Sequence, residues 1–241
     1  MKQTDSKRAA LDAALSRLSL ELDDQTKDKL LTYLDLVVEK NKVLNLTRIT
    51  SFEDAVVLHL EDSLSILEVF RQTSGHYLDI GTGAGFPGIP LGITTDRKGI
   101  LLDSVKKKAV AVQEFIDELG LGDRLSATGM RSEELAEQRR GFFGAVTARA
   151  VSSLPAVEEL ATPLLRKGGK LIAMRGIDSD GDIEKAKKAA KLLGLTLVDR
   201  KVFTIGPDGE YTRSICVFEK TGKSTVKLPR YPGYASKKPL V

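Results

Sequence analysis

Apolar residues recur every three or four positions through the first 70 residues, a spacing that predicts amphipathic helices. Two stripes come first, formed by Leu11, Ala14, Leu15 and Leu18 and then by Leu30, Leu31, Leu34, Val37 and Val38. Asp23 or Asp24 is placed to cap the second helix, and Ser51 with Asp54 resembles a capping box that opens a third. We therefore expect residues 1–70 to form a helical extension that packs through its apolar faces.

From Tyr77 onward, short apolar runs that predict strands alternate with helical patterns. Strands are predicted at 77–80, 98–102, 125–128, 143–147 and 170–174, and helices at 106–119 and 156–165. Such alternation predicts a parallel sheet with helices on both faces. Two last strands, 195–203 and 214–219, flank the turn 206–209 as in a hairpin. We expect an α/β, Rossmann-like domain at 71–222 whose seven-stranded, mostly parallel sheet has an antiparallel last strand, followed by a tail at 223–241.

A glycine-rich segment follows the first predicted strand. It reads LDIGTGAGFPGIP over residues 78–90, with Gly81, Gly83 and Gly85 spaced two apart. Glycine adopts backbone angles closed to residues that carry a Cβ, and its missing side chain lets a ligand lie against the main chain. Ligands of parallel α/β folds bind beyond the carboxyl ends of the strands. Four predicted segments would meet there: the glycines, Asp103, 128–132 and 147–149.

Two types of cofactor fit the glycine-rich segment. Gly83, Gly85 and Gly88 match the G-x-G-x-x-G of nicotinamide enzymes, and S-adenosylmethionine (SAM) methyltransferases use a similar loop. Either cofactor would use Asp103, which ends the next predicted strand and would accept a hydrogen bond from a ribose. Asp79 and the terminal hairpin favour SAM. Dehydrogenases usually have an apolar residue at the position of Asp79, and they commonly lack the hairpin.

Composition narrows the class of protein. The chain has 241 residues, 41% of them hydrophobic, enough for one substantial core with a small appendage. No apolar run approaches the ~20 residues of a membrane span, and the first residues lack the apolar centre of a signal peptide. The single cysteine, Cys216, excludes a disulfide framework within one chain, and with His59 and His76 it forms no metal-ligand spacing. We expect a cytoplasmic protein without a metal site, in which His59 has a structural role.

Charge is distributed unevenly along the chain. Residues 1–70 hold nine Lys and Arg against thirteen Asp and Glu, a net charge of −4, so the remaining residues carry +8 to reach +4 overall. The segment 223–241 has five basic residues, among them Arg230, Lys237 and Lys238, no acidic residue and two tyrosines. Basic residues beside aromatics suit a phosphate backbone with bases available for stacking, so we predict that these three residues bind RNA. A solvated basic tail is the alternative.

Longer motifs resemble one protein family. They are LDIGTGAGFPGIPL at 78–91, NLTRIT at 45–50, HLEDSL at 59–64, LLDS at 101–104, TARAVSSL at 147–154 and KKPL at 237–240. Over nearly its whole length the chain resembles the bacterial RsmG family, also called GidB. The resemblance implies a class I SAM methyltransferase fold, and methyl transfer to N7 of a guanine in the 530 loop of 16S rRNA in the small ribosomal subunit. We expect a monomer.

The resemblance also implies site residues. Gly81 and Phe86 correspond to SAM-binding positions of the family, and Ser132 and Glu133 to positions that bracket the adenine. Arg149 corresponds to a conserved position after the fourth strand, and we hypothesise that it orients the cofactor or the guanine, as the catalytic residue. We predict that four further residues also hold SAM. They lie in or near the glycine-rich segment or end the next strand, and are Asp79, Gly83, Gly85 and Asp103.

The residues after the fourth predicted strand bear on the acceptor atom. Guanine N7 carries a lone pair and no proton, so its attack on a methyl group needs alignment but no general base. Enzymes that methylate exocyclic amines often carry an Asn or Asp-Pro-Pro-aromatic motif there, whereas this chain has Thr-Ala-Arg-Ala at 147–150. Two alternatives stay open: a SAM methyltransferase of another RNA or a small molecule, and a non-catalytic ribosome-assembly factor with a SAM pocket.

Overall fold

The structure is a computed structural model that describes residues 2–49 and 51–241, so Met1 and Thr50 lie outside it. The helices are α1 (Lys2–Arg17), α2 (Asp24–Leu44), α3 (Phe52–Ala55), α4 (Asp62–Leu64), α5 (Leu67–Arg71), α6 (Gly88–Thr94), α7 (Lys106–Glu118), α8 (Ser132–Gln138), α9 (Leu154–Ala161), α10 (Asp180–Leu193) and α11 (Tyr234–Lys237). A π-helix, Val56–Glu61, lies between α3 and α4. The strands are β1 (Tyr77–Ile80), β2 (Gly99–Leu102), β3 (Leu125–Thr128), β4 (Phe143–Arg149), β5 (Leu165–Arg175), β6 (Leu195–Ile205) and β7 (Tyr211–Lys220).

Within the described residues, the seven strands form one sheet in the order β3-β2-β1-β4-β5-β7-β6. Strands β1 to β5 are parallel, whereas β7 runs antiparallel to both of its neighbours, β5 and β6. The turn at Gly206–Gly209, closed by a bond from Gly209 N to Gly206 O, folds β7 back beside β6. The predicted mostly parallel sheet with an antiparallel last strand is therefore confirmed.

Two apolar clusters cover the two faces of this sheet. Successive residues of a strand point to opposite faces, so Tyr77 joins one cluster and Leu78 the other. The first cluster includes buried residues of α1, α2, α6 and α7, and the second includes those of α9 and α10. The N-terminal helices thus pack directly over the sheet, while the predicted boundary at residue 70 stays a prediction.

The predicted caps of the N-terminal helices are present. Asp23 Oδ1 accepts a hydrogen bond from Thr26 N at 2.7 Å at the start of α2, and Ser51 Oγ accepts one from Asp54 N at 3.1 Å at the start of α3. The helix that begins at Ser51 widens into the π-helix Val56–Glu61, which the apolar periodicity did not predict. Such widened turns occur frequently at functional sites, and this one carries His59.

The helix predicted at 156–165 is wrong at both ends. The observed α9 is Leu154–Ala161, and Leu165 already belongs to β5. Proline has no N–H to donate to a helical turn, so Pro163 cannot continue the helix. The carbonyls of Pro163 and Leu164 instead accept hydrogen bonds from Gly141 N and Phe142 N, next to β4. Residues 162–164 therefore connect the helix to the sheet.

Helix α9 also buries a carboxyl group without a hydrogen-bond partner among the described residues. Glu158 is 0% exposed, and burial raises the pKa of its side chain to about 9. The folded protein therefore holds a proton that the unfolded chain releases above its ordinary pKa of 4.5. The contribution of Glu158 to stability must fall as pH rises from 4.5 toward 9, by roughly 1.4 kcal/mol per pH unit.

We expect the substitution Glu158→Gln to remove this pH dependence. In urea unfolding, the variant should gain unfolding free energy relative to the unmodified protein as pH rises from 5 to 8, because glutamine has no proton to lose. Glu184→Gln is the control, since Glu184 lies exposed on α10. A stability difference between Glu158→Gln and the unmodified protein that is the same at pH 5 and pH 8 would contradict a buried, neutral Glu158.

Candidate active site

Asp79 organises the glycine loop that follows β1. Its carboxylate accepts hydrogen bonds from Thr82 Oγ1 at 2.6 Å and Gly88 N at 3.0 Å, which tie both ends of the loop to the strand. The register of β1 and β4 places Asp79 beside Thr147, whose Oγ1 donates to it at 2.8 Å. A buried carboxylate with three donors holds the loop in one conformation.

Asp79 is predicted to lie beside the cofactor, but its position in the structure favours a role in holding the glycine loop. Asp79 is 0% exposed, and burial raises the pKa of its carboxyl to about 6 against the effect of its hydrogen bonds. It lines neither of the two cavities described below. Direct contact with SAM stays a prediction, while the contacts present support the loop.

One cavity, of about 360 Å³, opens between the glycine loop, the π-helix and the end of β4. We name it the arginine cavity, because Arg149, Arg175 and Arg213 all line it. Its wall also includes the predicted cofactor residues Gly81, Gly83 and Phe86, together with the residues Thr47, His59 and Asp62. The structure therefore brings the predicted catalytic residue together with three of the predicted cofactor residues.

Arg149 is held by several contacts in the arginine cavity. Its Nη1 donates to the carbonyl of Leu58 at 2.8 Å and to Asp62 Oδ2 at 3.0 Å. Its guanidinium carbon lies 5.3 Å from the ring centroid of Phe86, within cation–π distance. Asp62 is also paired through Oδ1 with Arg213 Nε at 2.9 Å. One buried carboxylate thus fixes two guanidinium groups in the wall of the cavity.

His59 lies flat on the ring of Phe86, with centroids 4.3 Å apart and an interplanar angle of 9°. Its Nδ1 is 3.4 Å from Arg149 Nη2, and its Nε2 is 3.1 Å from Thr47 Oγ1. Burial and the charge of Arg149 lower the pKa of His59 to about 3. The imidazole is therefore neutral at physiological pH.

A second cavity, of about 160 Å³, lies on the other side of Gly81, which lines both. We name it the aspartate cavity. Its lining contains the predicted ribose and adenine residues Asp103, Ser132 and Glu133. Asp103 is 8% exposed, and its two oxygens accept bonds from Gly83 N at 3.0 Å and Val105 N at 2.9 Å. A carboxylate oxygen has further acceptor capacity, so this group can also receive hydroxyl donors.

The residues predicted to hold SAM, apart from Asp79 and Gly85, line the two adjoining cavities. The ribose and adenine would meet Asp103, Ser132 and Glu133, and the amino-acid end would lie across Gly81 in the arginine cavity. A Cβ built on Gly83 would find no atom closer than Gly81 O at 4.0 Å, so it would enter open space beside this path. Gly85 lies elsewhere, since a Cβ there would be 2.6 Å from the hydroxyl of Tyr33.

We expect the substitution Gly83→Ala to weaken SAM binding beyond its effect on stability. Gly83 has a φ of +62°, and Gly120, remote from both cavities, has a φ of +63° with open space around it. Alanine at either position should lower the unfolding free energy by about 1 kcal/mol through backbone strain. Isothermal titration should show weaker SAM binding only for Gly83→Ala. Equal SAM affinity in the two variants would contradict a cofactor path beside Gly83.

The basic tail covers the aspartate cavity, a position that the sequence did not predict. Gly233, Ala235 and Ser236 line this cavity, and Gly233 N donates to Glu133 Oε1 at 2.8 Å. Arg230 anchors the segment through a two-pronged ion pair with Glu159, whose side chain is 4% exposed. Of the three residues predicted to bind RNA, Lys237 and Lys238 are exposed, whereas Arg230 is committed to this pair. RNA binding by all three stays a prediction.

We expect Arg230→Ala to weaken SAM binding about tenfold, or roughly 1.4 kcal/mol, because the tail would lose its anchor beside the cavity. Lys237→Ala is the control, because it removes the same charge from the same segment at an exposed residue. Its SAM affinity should therefore remain that of the unmodified protein. Fluorescence or calorimetric titration checks both variants, and an Arg230→Ala protein with unchanged SAM affinity would show that the tail does not shape the site.

The sequence did not predict several residues that build the site, among them Asp62, His59 and Tyr33. His59 was assigned a structural role, yet it stacks on Phe86 and contacts Arg149. The buried hydroxyl of Tyr33, in α2, donates to Ala84 O at 2.7 Å in the glycine loop. The sequence indicated this role only weakly, because Tyr33 falls within the apolar stripe of α2. Among the described residues, no three His, Cys, Asp or Glu side chains form a metal-binding group.

Solved structures share this fold. An O-methyltransferase from Bacillus cereus in complex with SAH superposes with a TM-score of 0.57 at 19% identity, covering 88% of this chain and 97% of that one. The [4+2]-cyclase SpnF superposes with a TM-score of 0.54 at 15% identity, covering 72% of this chain and 84% of that one. At such identities the likeness concerns the fold alone.

The fold is that of class I SAM-dependent methyltransferases. A family model described as "GidB: rRNA small subunit methyltransferase G" matches residues 26–208. The chain belongs to this family, as the sequence motifs predicted, and SAM is its cofactor.

Relatives named Ribosomal RNA small subunit methyltransferase G match almost the whole chain. The protein of Desulfitobacterium hafniense (strain Y51) is 39% identical over 228 residues, which cover 93% of this chain and 94% of that protein. The protein of Alkaliphilus metalliredigens (strain QYMF) is 38% identical over 227 residues, covering 92% and 94%. No helix in the described part of the chain is long and apolar enough to cross a bilayer.

Proposed function

We propose that this protein transfers the methyl group of SAM to N7 of a guanine in the 530 loop of 16S rRNA. Membership of the rRNA small subunit methyltransferase G family supports rRNA as the substrate. The observation that carries the choice of N7 is the set of titratable groups in the arginine cavity. The arginine cavity contains three arginines, a neutral imidazole and a carboxylate that is paired with two of those arginines.

None of these groups is suited to remove a proton from an acceptor. An arginine side chain only donates, and Asp62 is engaged on both oxygens by guanidinium groups. His59 has a pKa of about 3, which makes it a weak base, and its Nδ1 faces the guanidinium group of Arg149. Guanine N7 has a free lone pair and no proton, so this environment is sufficient for its methylation.

The residues of the site would act by binding and alignment. Bound SAM supplies an electrophilic methyl group on a sulfonium. The carboxylate of Asp103 accepts hydrogen bonds from ribose hydroxyls, and Arg149, fixed by Leu58 and Asp62, orients the groups that meet in the arginine cavity. Alignment of this kind contributes a large part of the rate in bimolecular reactions. We also propose that the protein is a cytoplasmic monomer.

A substrate with a single changed atom tests the acceptor. A 16S rRNA is ligated with 7-deazaguanosine, which has C–H in place of N7, at guanines of the 530 loop and assembled into small subunits. Radiolabel from SAM should not enter this RNA. A matched RNA with inosine at the same positions lacks the exocyclic amine but keeps N7, and it should be labelled.

The two substrates separate the proposal from its alternatives. Label in the 7-deazaguanosine RNA but not in the inosine RNA would move the acceptor to the exocyclic amine. Label in neither of these RNAs nor in unmodified subunits, with SAM binding intact, would favour another substrate or a non-catalytic assembly factor.

A further inference from the structure

A groove outside the two cavities continues from the arginine cavity across the N-terminal helices. It has a volume of about 950 Å³ and lies between the end of α2, the segment 45–49 and α7. Leu46, Thr47 and Ile49 line both the groove and the arginine cavity, so the two spaces share one wall. We name this space the segment groove. A polymer that places one unit in the arginine cavity could continue along it.

The segment groove is lined by cations without acidic neighbours in its wall. Its charged lining residues are Lys42, Arg48 and Lys108. Arg48 is exposed and Lys108 half-buried, and neither forms an ion pair with a carboxylate among the described residues, whereas Lys42 pairs with Glu39. The remaining lining consists of amide, hydroxyl and aliphatic side chains. Such a surface is complementary to phosphate groups joined by sugars.

We propose that the segment groove binds the sugar-phosphate backbone of the RNA strand beside the target nucleotide, with Arg48 and Lys108 on its phosphates. This inference rests on the proposed function for the identity of that strand. It places the RNA on the side of the N-terminal helices, away from the tail, where Arg230 is engaged by Glu159 and the segment 233–236 lines the aspartate cavity. The N-terminal extension then forms part of the substrate site.

The test compares two double variants of equal charge. Arg48→Gln with Lys108→Gln removes the two groove cations that form no ion pair within the described residues. The control, Lys185→Gln with Lys188→Gln, removes two exposed lysines of α10, which packs on the other face of the sheet. The affinity for a fluorescent single-stranded RNA oligonucleotide is measured from 50 to 300 mM KCl. Each lost phosphate contact lowers the slope of log affinity against log salt by about 0.7.

We expect the groove variant to lose about 1.4 units of this slope, the sum for two contacts, and the control to lose none. With small subunits as substrate, the groove variant should raise KM for the subunit and leave kcat and SAM affinity unchanged, since the groove residues other than the shared wall lie outside the cofactor cavities. Thermal unfolding checks that both variants fold.

Two results would overturn the groove. One is an unchanged salt slope and KM in the groove variant. The other is a smaller salt slope in the double variant Lys237→Gln with Lys238→Gln, together with an unchanged salt slope in the groove variant. That pattern would show that the RNA binds along the tail. Failure of the proposed function gives a different pattern: subunits would not be methylated, yet oligonucleotide affinity would still depend on Arg48 and Lys108, which supports the groove.

Discussion

Replacing Arg149 by alanine should lower kcat/KM for methyl transfer by about 100-fold, the scale of loss when reacting groups are misplaced by about an ångström. Arg149 is the cation that joins the π-helix, through Leu58, and α4, through Asp62, to the ring of Phe86. Without it, the wall of the arginine cavity loses the group that we propose orients both cofactor and acceptor. Steady-state kinetics with radiolabelled SAM and small subunits measures the effect.

Arg213→Ala is the matched control for Arg149→Ala. Both arginines line the arginine cavity and both pair with Asp62, so both variants leave that carboxylate with one partner. Urea unfolding should therefore show losses of stability of similar size. Within the described part of the chain, the hydrogen bond to His59 Nδ1 and the cation–π contact with Phe86 belong to Arg149, so we expect the Arg213 variant to keep most of its activity. An Arg149→Ala enzyme with full methylation and intact SAM binding would contradict an orienting role.

Replacing Asp103 by alanine should weaken SAM binding by about 100-fold. A hydrogen bond to a charged group contributes about 1.5–3 kcal/mol, and tenfold in affinity corresponds to roughly 1.4 kcal/mol. Asp103 is positioned for this role by its bonds from Gly83 N and Val105 N, which turn the carboxylate toward the aspartate cavity. Isothermal titration of SAM into both proteins provides the comparison.

Loss of those two loop bonds could weaken binding by itself, and a modified ligand separates the two causes. A SAM analogue without ribose hydroxyls should bind the unmodified protein weakly and should bind Asp103→Ala no more weakly than SAM does. The loss of affinity on removal of the ribose hydroxyls is compared between the two proteins, and the difference measures the ribose contact alone. If removal of the hydroxyls weakens binding equally in both proteins, Asp103 does not contact the ribose.

The fold was predictable where one local signal decided each element. The β1 strand Tyr77–Ile80 was predicted with its observed bounds, because an apolar run ends there at glycine. The turn Gly206–Gly209 predicted the β6–β7 hairpin, and Ser51 predicted the start of α3. The helix predicted at 156–165 failed because apolar periodicity continued past Pro163 into residues that pair with the sheet.

The candidate site was predictable only in part. The glycines and Asp103 follow strands, so chain order alone brought them to one edge of the sheet. The stacking of His59 on Phe86 and the pairing of Asp62 with Arg149 join residues far apart in sequence. They depend on how the π-helix packs over the loop. No periodic pattern contains that information, just as none placed the tail over the aspartate cavity.

The most direct test of methyl transfer to guanine N7 is to map the product. The protein and radiolabelled SAM are incubated with small ribosomal subunits from a strain that lacks this modification, and the RNA is then cleaved at N7-methylguanine with borohydride and aniline. We predict label in 16S rRNA and one new cleavage site in the 530 loop. Label without cleavage, or cleavage only outside that loop, would contradict the proposed reaction or its target.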